Sequence, residues 1–244
     1  MFGLAGLVVW LSLGVPCHAQ PAPADTLATS VGALVVQPVH HASFLLRWGD
    51  LLVAVDPVGD PDAYLRDGRP DVVLVTHKHR DHFDPDVLHE LAGQHNVVIM
   101  PLPVAESVPA ADPVVLAAGD TWAAGDLTVT AVPAYNRTAG RGDYHPLGDG
   151  IGYLLQRAGM RVYISGDTED APELAAIAPV DVAFLCMNLP WTMSVEQAAR
   201  AVKAIRPRVL YPYHYRNRDG SLADLDRLRS LVDGTVDVRL LAWY

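Results

Sequence analysis

The stretch Thr76-His77-Lys78-His79-Arg80-Asp81-His82-Phe83-Asp84 follows directly on the apolar run Val72-Val73-Leu74-Val75. Three histidines and two aspartates fall within nine residues. A strand that ends in His-x-His-x-Asp-His aims imidazoles and a carboxylate into one small volume. Neutral imidazole and carboxylate are the usual ligands of zinc and similar divalent ions. A lone pair of histidines would read as a solvated polar loop, but this density does not. One such loop rarely completes a metal site, so further ligands are expected elsewhere in the chain.

The chain has 244 residues, half of them hydrophobic. That suits one large domain or two small ones with ample core material. Phe2 to Val15 is apolar or small except for Ser12, and Pro16-Cys17-His18-Ala19 follows. A short apolar region ending in small-x-Ala reads as a secretory signal peptide over residues 1–19. The expectation is therefore an exported protein, periplasmic or secreted, with no stable membrane insertion after cleavage. No Lys or Arg precedes the apolar run, so an uncleaved anchor is the alternative. No charged residue occurs before Asp25, and the mature chain keeps the net charge of −10. An acidic protein is a poor partner for nucleic acid, where binding is driven by basic patches. A small-molecule substrate is the expected partner. After cleavage only Cys186 remains, within the apolar run Val182–Cys186. It reads as a small buried hydrophobe and forms no internal disulfide.

Residues 20–32, rich in Ala, Pro, Thr and Ser, read as a mature N-terminal tail, and residues 33–244 as one domain. Ser43–Trp48 and Leu51–Val55 flank Gly49-Asp50, a hairpin signal. Val72–Thr76 reads as a strand buried on both faces. Asp84-Pro85 reads as the N-cap and first position of a helix that stops at Gly93. Val114–Ala117, Thr121-Trp122 and Leu127–Val132 are expected to form an antiparallel meander. Residues 134–148 follow as a long polar loop, and loops of that length in compact domains are often functional.

The second half repeats the grammar of the first. A hairpin turns at Ala158-Gly159, and Val180–Cys186 is a buried strand. Ser194 caps a helix over residues 195–205. Val209–Tyr213 is a strand ending at His214, Ser221–Val232 a helix, and Val236–Leu241 a closing strand. Hairpin, buried strand, ligand-bearing loop and helix thus occur in both halves. This order favours an α/β sandwich, two mixed sheets with helices outside and the site at the sheet edge between them.

Two more positions share the geometry of the histidine cluster. Val162–Thr168 places Asp167 just past an apolar strand, and Val209–His214 does the same with His214. Asp120 occurs in the same Gly-Asp-Thr tripeptide, but sits between short runs and reads as a turn. His77-x-His79-x-Asp81-His82, then Gly166-Asp167-Thr168, then His214 resembles the metallo-β-lactamase superfamily. The resemblance extends to His41-Ala42-Ser43, Asp56-Pro57, Val132-Pro133-Ala134 and the loop 190–193. Together these resemble the branch containing the ascorbate-phosphate lactonase and N-acyl-phosphatidylethanolamine phospholipase D type enzymes.

The resemblance implies an αββα sandwich and one or two metal ions at its edge. It implies His77 and His79 as ligands of a first metal, Asp81, His82 and His214 as ligands of a second, and Asp167 as the bridge. It departs from the pattern once: Val132-Pro133-Ala134 is followed by Tyr135-Asn136, where the family places a histidine. His145, in the adjacent long loop, is the expected replacement, with a one-metal enzyme as the consequence if it fails. His41 and Asp56 are expected to support ligands from behind. Trp191, Met193, Tyr213 and Tyr215 are candidate pocket walls, while Arg137 and Arg141 read as a solvated loop, with binding of a substrate phosphate or carboxylate as the alternative.

The expected function is a metal-dependent hydrolase. Two divalent ions, zinc first and Mn2+ or Fe2+ as alternatives, lower the pKa of bound water from 15.7 to roughly 7. Asp81 would orient the resulting hydroxide, and catalytic work falls to Asp81 and His214. The substrate is a small ester, lactone, phosphodiester or amide. An exported metal- or ligand-binding protein without turnover is the alternative, kept open by the Tyr135-Asn136 departure.

Overall fold

A computed structural model describes residues 22–244 apart from 94, 109–111, 233 and 235. The expected signal peptide lies outside the described residues. The first sheet holds β1 (Asp25–Thr29), β2 (Gly32–His40), β3 (Ser43–Trp48), β4 (Leu51–Val55), β5 (Val72–Leu74), β6 (Val97–Met100) and β7 (Val114–Val115), side by side in chain order. β1 to β4 pair antiparallel and β4 to β7 parallel. The parallel crossovers carry α1 (Asp62–Leu65), α2 (Pro85–Leu91) and α3 (Leu102–Ala105). Asp84 caps α2 by accepting from the Asp86 and Val87 N–H groups, with Pro85 at its first position.

The second sheet repeats this plan. It holds β8 (Thr121–Ala124), β9 (Leu127–Ala134), β10 (Gly150–Arg157), β11 (Met160–Ile164), β12 (Val182–Cys186), β13 (Val209–Tyr213) and β14 (Asp237–Val238), again in chain order. Pairing is antiparallel to β11 and parallel beyond it. A 3-10 turn (Pro172–Ile177), α4 (Val195–Ile205) and α5 (Leu225–Val232) make the crossovers. Ser194 and Gln197 close a reciprocal capping box on α4.

The two-residue period of a strand explains the layering. On β5, Val72 and Leu74 enter the large core between the sheets, while Val73, and Val75 just past the strand, enter a second core beneath the helices. Phe44, Leu46 and Trp48 join the first group; Leu45, Leu52 and Ala54 join the second, against Val87, Leu88 and Leu91 of α2. Each fully buried aliphatic side chain contributes about 1.5–3 kcal/mol against exposure. The fold is thus the expected αββα sandwich.

Several expected boundaries are corrected. Residues 25–29 of the expected tail form β1, whose ladder pairs Asp25 with Val36 and Thr29 with Gly32. Val114-Val115 does not join a meander but pairs parallel to β6, so the chain changes sheets before β8. β5 stops at Leu74, because the Asp56 carboxylate takes the Thr76 N–H (2.7 Å) and the Ile151 N–H takes the Thr76 carbonyl (3.0 Å). The last helix begins at Leu225, leaving Leu222 half exposed, and the closing strand is only Asp237–Val238.

The ends of β4, β5, β11 and β13 open on one rim, where the sheets are stitched together. Tyr153 of β10 donates its hydroxyl to Val75 O (2.6 Å), and Ile151 N–H donates to Thr76 O. Close approach there requires glycine: a Cβ on Gly150 would lie 3.0 Å from the His77 Cβ.

Candidate metal centre

Among the described residues, three of the five non-glycine positions with positive φ sit at this rim: His41 (54°), Asp56 (44°) and His214 (49°). The other two, Ala158 and Arg206, serve the β10–β11 hairpin turn and the C-cap of α4. Left-handed backbone at a residue with a Cβ costs of order 1–3 kcal/mol and clusters where function demands it. Each of the three ends a strand, and the twist turns its side chain into the gap between the sheets.

The expected ligands all converge. His77 Nε2 lies 3.1 Å from His79 Nδ1, and His145 Nε2 lies 3.2 Å from the same atom. These three offer ligand atoms all within 4.8 Å of one another. His77, His82 and Asp167 form a second such group, and His41, Asp81 and His214 a third. Asp167 stands between them. Its Oδ2 is 3.3 Å from His145 Nε2 and 3.6 Å from His214 Nε2, and its Oδ1 is 3.3 Å from His82 Nε2. Asp81 Oδ2 is 3.3 Å from both His214 and His41 Nε2 and 3.9 Å from His82 Nε2.

Three of the imidazoles are oriented from behind. His145 Nδ1 faces the Trp191 carbonyl at 3.1 Å. His82 Nδ1 faces Asp56 Oδ2 at 2.7 Å. His77 Nδ1 faces the Thr76 hydroxyl at 3.0 Å, and that hydroxyl donates to Asp56 Oδ2 (2.8 Å). Each pattern puts the ring proton on Nδ1 and leaves the Nε2 lone pair for the cluster. Asp56 is fully buried, and a single carboxylate therefore orders two of the rings.

The electrostatics fit ligands. Burial, reinforced by His82, holds His77 neutral, well below the ordinary histidine range. Burial lowers His79 in the same direction. Burial would raise Asp167, but His214 and His82 outweigh it and keep the carboxylate ionised. Asp81 is likewise held well below the carboxylate range, burial being overcome by the adjacent His214 and His41 imidazoles. His82 runs the other way: burial works against charge, but Asp167 and Asp56 prevail and raise it, so an ion binding at Nε2 would have to displace a proton there.

Among the described residues, buried His82 Nε2, His214 Nε2 and Asp167 Oδ1 have no hydrogen-bond partner. Unpartnered buried polar atoms cost about 1–3 kcal/mol each unless something else binds them. Imidazole and carboxylate aimed at one another's gaps are the donor set of a divalent ion.

His145, the expected replacement for the family histidine, is brought to the His77–His79 pair. Tyr135 turns away, its hydroxyl donating to the Glu173 carboxylate (3.1 Å). The loop bearing His145 is tied down by Glu169. This carboxylate, 1% exposed, accepts from Arg137 N–H (2.8 Å), Thr138 N–H (2.7 Å) and the Thr138 hydroxyl (2.9 Å). Arg141 Nη2 lies 2.6 Å from Glu169 Oε1, an ionic contact, since its two hydrogens point to Thr138 Oγ1 and Gln197 Oε1. Arg141 is therefore a structural clamp, not the solvated loop residue expected from sequence.

Of the candidate pocket walls, Trp191 lines the cavity above the cluster, about 540 Å³ in volume. Met193 and Tyr213 are core, as is Cys186, whose thiol burial pushes up to about 12. Asp120 accepts from Ala117 N–H in a turn, as expected. Sequence reasoning undervalued His41, which offers a ligand atom of its own. The available signal was its place at the tight end of β2, two residues before Ser43.

Fold and site define a metallo-β-lactamase-fold metal-dependent hydrolase, and the chain belongs to that superfamily. The family described as beta-lactamase superfamily domain matches residues 35–214. A UPF0173 metal-dependent hydrolase of Pyrococcus horikoshii is 30% identical over 218 residues, 84% of this chain and 95% of its own. A protein of Parabacteroides distasonis, named as a metal-dependent hydrolase, has a crystal structure 35% identical that matches with a TM-score of 0.81 over 90% of this chain and 98% of its own. An isothiocyanate hydrolase from Delia radicum gut bacteria shares the fold at 16% identity and a TM-score of 0.62, over 84% of this chain and 95% of its own.

Proposed function

We infer that this chain is a two-metal hydrolase, with zinc the leading candidate, acting on a small ester, lactone, phosphodiester or amide. The observation that carries the reading is the set of buried, unpartnered atoms His82 Nε2, His214 Nε2 and Asp167 Oδ1, facing the open His77–His79–His145 group. On this reading His77, His79 and His145 would hold one ion and His82, Asp81 and His214 the other, with Asp167, which lies between the two groups, available to both. Ions bound there supply Lewis acidity and an ionised water at neutral pH.

The protein's own groups do the rest. Asp81 is half exposed to the cavity and anionic, so it can accept a hydrogen bond from the attacking water and fix its direction. His41 lies beside it, kept neutral by burial, and is placed to take up a proton from Asp81. Trp191 covers one side of the cavity and excludes water from the bond being cleaved. The feature that favoured a binder without turnover, the missing family histidine, is offset by His145. Export to the periplasm or medium goes with this reading on the strength of the apolar segment Phe2–Val15. N-terminal sequencing of the purified protein tests it.

Metal analysis with a hydrolysis screen over the four bond classes tests the function. His79→Ala and Asp167→Ala should each lose metal and activity. Retention of both in either variant rejects the assignment.

A further inference from the structure

One wall of the cavity is not explained by the metal cluster. Arg216, two residues beyond His214, lines it, and is the only Arg or Lys to do so among the described residues. Its guanidinium has no ion-pair or hydrogen-bond partner among the described residues, although the chain carries a net charge of −10. Nor is it loose. Its Cζ lies 4.1 Å from the centre of the Tyr244 ring, and its own backbone N–H donates to the Tyr244 hydroxyl (3.1 Å). Tyr244 in turn packs edge-on against Tyr215 (5.1 Å) and His41 (5.4 Å).

The residues that follow are pinned across the mouth of the cavity. Asn217 Oδ1 accepts from Leu189 N–H (2.8 Å), and Arg218 N–H donates to Leu189 O (3.0 Å). An exposed arginine with no such contact would rotate freely in water. This one is stacked on an aromatic face with its five N–H donors unused, beside the site of reaction. Such a fork matches a carboxylate or a phosphate in a two-point contact. Other charged groups on the cavity are accounted for: Asp81 and Asp167 belong to the cluster. Asp143, on the loop that carries His145, also lines it and makes no ion pair with Arg216.

We propose that Arg216, held on the ring of Tyr244, anchors an anionic group, carboxylate or phosphate, which the substrate carries away from the bond that is cleaved. The proposal rests on the hydrolase reading for the bond and adds the charge class of the substrate. Tyr244 is the positioning residue.

The test is calorimetric titration of the metal-loaded full chain, without turnover. Butyrate, with one carboxylate, is compared with succinate, glutarate and adipate, and with 4-phosphonobutyrate. One charged end can meet the metals, so the second end reports on Arg216. The best two-ended anion should bind about tenfold or more tightly than butyrate, the size expected of one charge-assisted pair. Arg216→Met should abolish that excess with metal content unchanged, Arg216→Lys should keep part of it, and Tyr244→Ala should reduce it. An excess confined to the dicarboxylates assigns carboxylate-bearing substrates, and one confined to the phosphonate assigns phosphate-bearing ones. No excess in the native protein, or an excess that survives Arg216→Met, overturns the proposal. The two readings fail separately. An Arg216-dependent excess in a protein that cleaves none of the four bond classes sinks the hydrolase reading alone. Ester cleavage without the excess sinks only the anion anchor.

Discussion

Asp56→Asn should weaken metal binding while leaving the fold in place. The native carboxylate is fully buried and receives three donors: Thr76 N–H on Oδ1 (2.7 Å), and the Thr76 hydroxyl (2.8 Å) and His82 Nδ1 (2.7 Å) on Oδ2. In asparagine the Thr76 N–H keeps the oxygen at Oδ1, so the NH2 group takes the place of Oδ2. The Thr76 hydroxyl can rotate to accept from it, but His82 can accept only if its proton moves to Nε2. That is the atom aimed at Asp167 and Asp81. A protonated Nε2 cannot bind a metal, so binding must first break the new hydrogen bond.

The loss expected from disturbing a carboxylate behind a metal-binding histidine is roughly 10–100-fold in metal affinity. That is about 1.4–2.7 kcal/mol. Stability of the metal-free protein should change by no more than about 1 kcal/mol, because the variant also removes a buried charge that burial itself penalises. Chelator competition gives the metal affinity, and thermal unfolding with and without metal gives the stability. Native affinity in Asp56→Asn would refute the claim that Asp56 sets the His82 tautomer, or that His82 is a ligand.

His145→Ala should lower the metal content from two equivalents toward one, read by elemental analysis, because it removes a ligand from the His77–His79 group only; unchanged stoichiometry would exclude His145. Glu169→Ala should cost about 3 kcal/mol or more, as expected when one partner of a buried pair is removed. It should also weaken the same metal, and hydrogen exchange should rise across residues 137–145; exchange that stays at the native rate would mean the loop is held by other contacts. Asp25 predicts an acid-side effect. Burial raises its carboxyl, but hydrogen bonds from Tyr211 and Arg239 bring the net pKa below 3.8. Its contribution is therefore present above the unfolded value near 3.8 and is lost as pH falls through the lower folded value. Asp25→Asn should narrow the stability gap to the native protein below that window, and a gap independent of pH between 2 and 6 would remove Asp25 from the account.

Much of this molecule was legible in the chain. The apolar runs, the Asp84-Pro85 helix start and the doubled order of elements specify the two-sheet sandwich, because strand burial and capping are local properties. The His77–His82 loop was legible as a candidate metal loop because it directly follows an apolar strand, whereas Asp167 and His214, weak signals alone, became candidate ligands through the family resemblance. Element ends were less legible. β1 was hidden in a stretch of Ala, Pro and Thr, since its strand character comes from pairing with β2 and not from its own side chains. Arg141 looked solvated because its partner, Glu169, is distant in sequence.

The sequence by itself therefore determined the layers, the strand-end loops and most of the metal-binding residue types, all of which follow from patterns a few residues long. Only the tertiary structure decided that His145 and not Tyr135 faces the His77–His79 pair. It alone placed His41 beside Asp81, let Asp56 order two imidazoles, and stacked Arg216 on Tyr244. Those facts depend on which loops meet across the gap between two sheets, and no local pattern encodes that meeting.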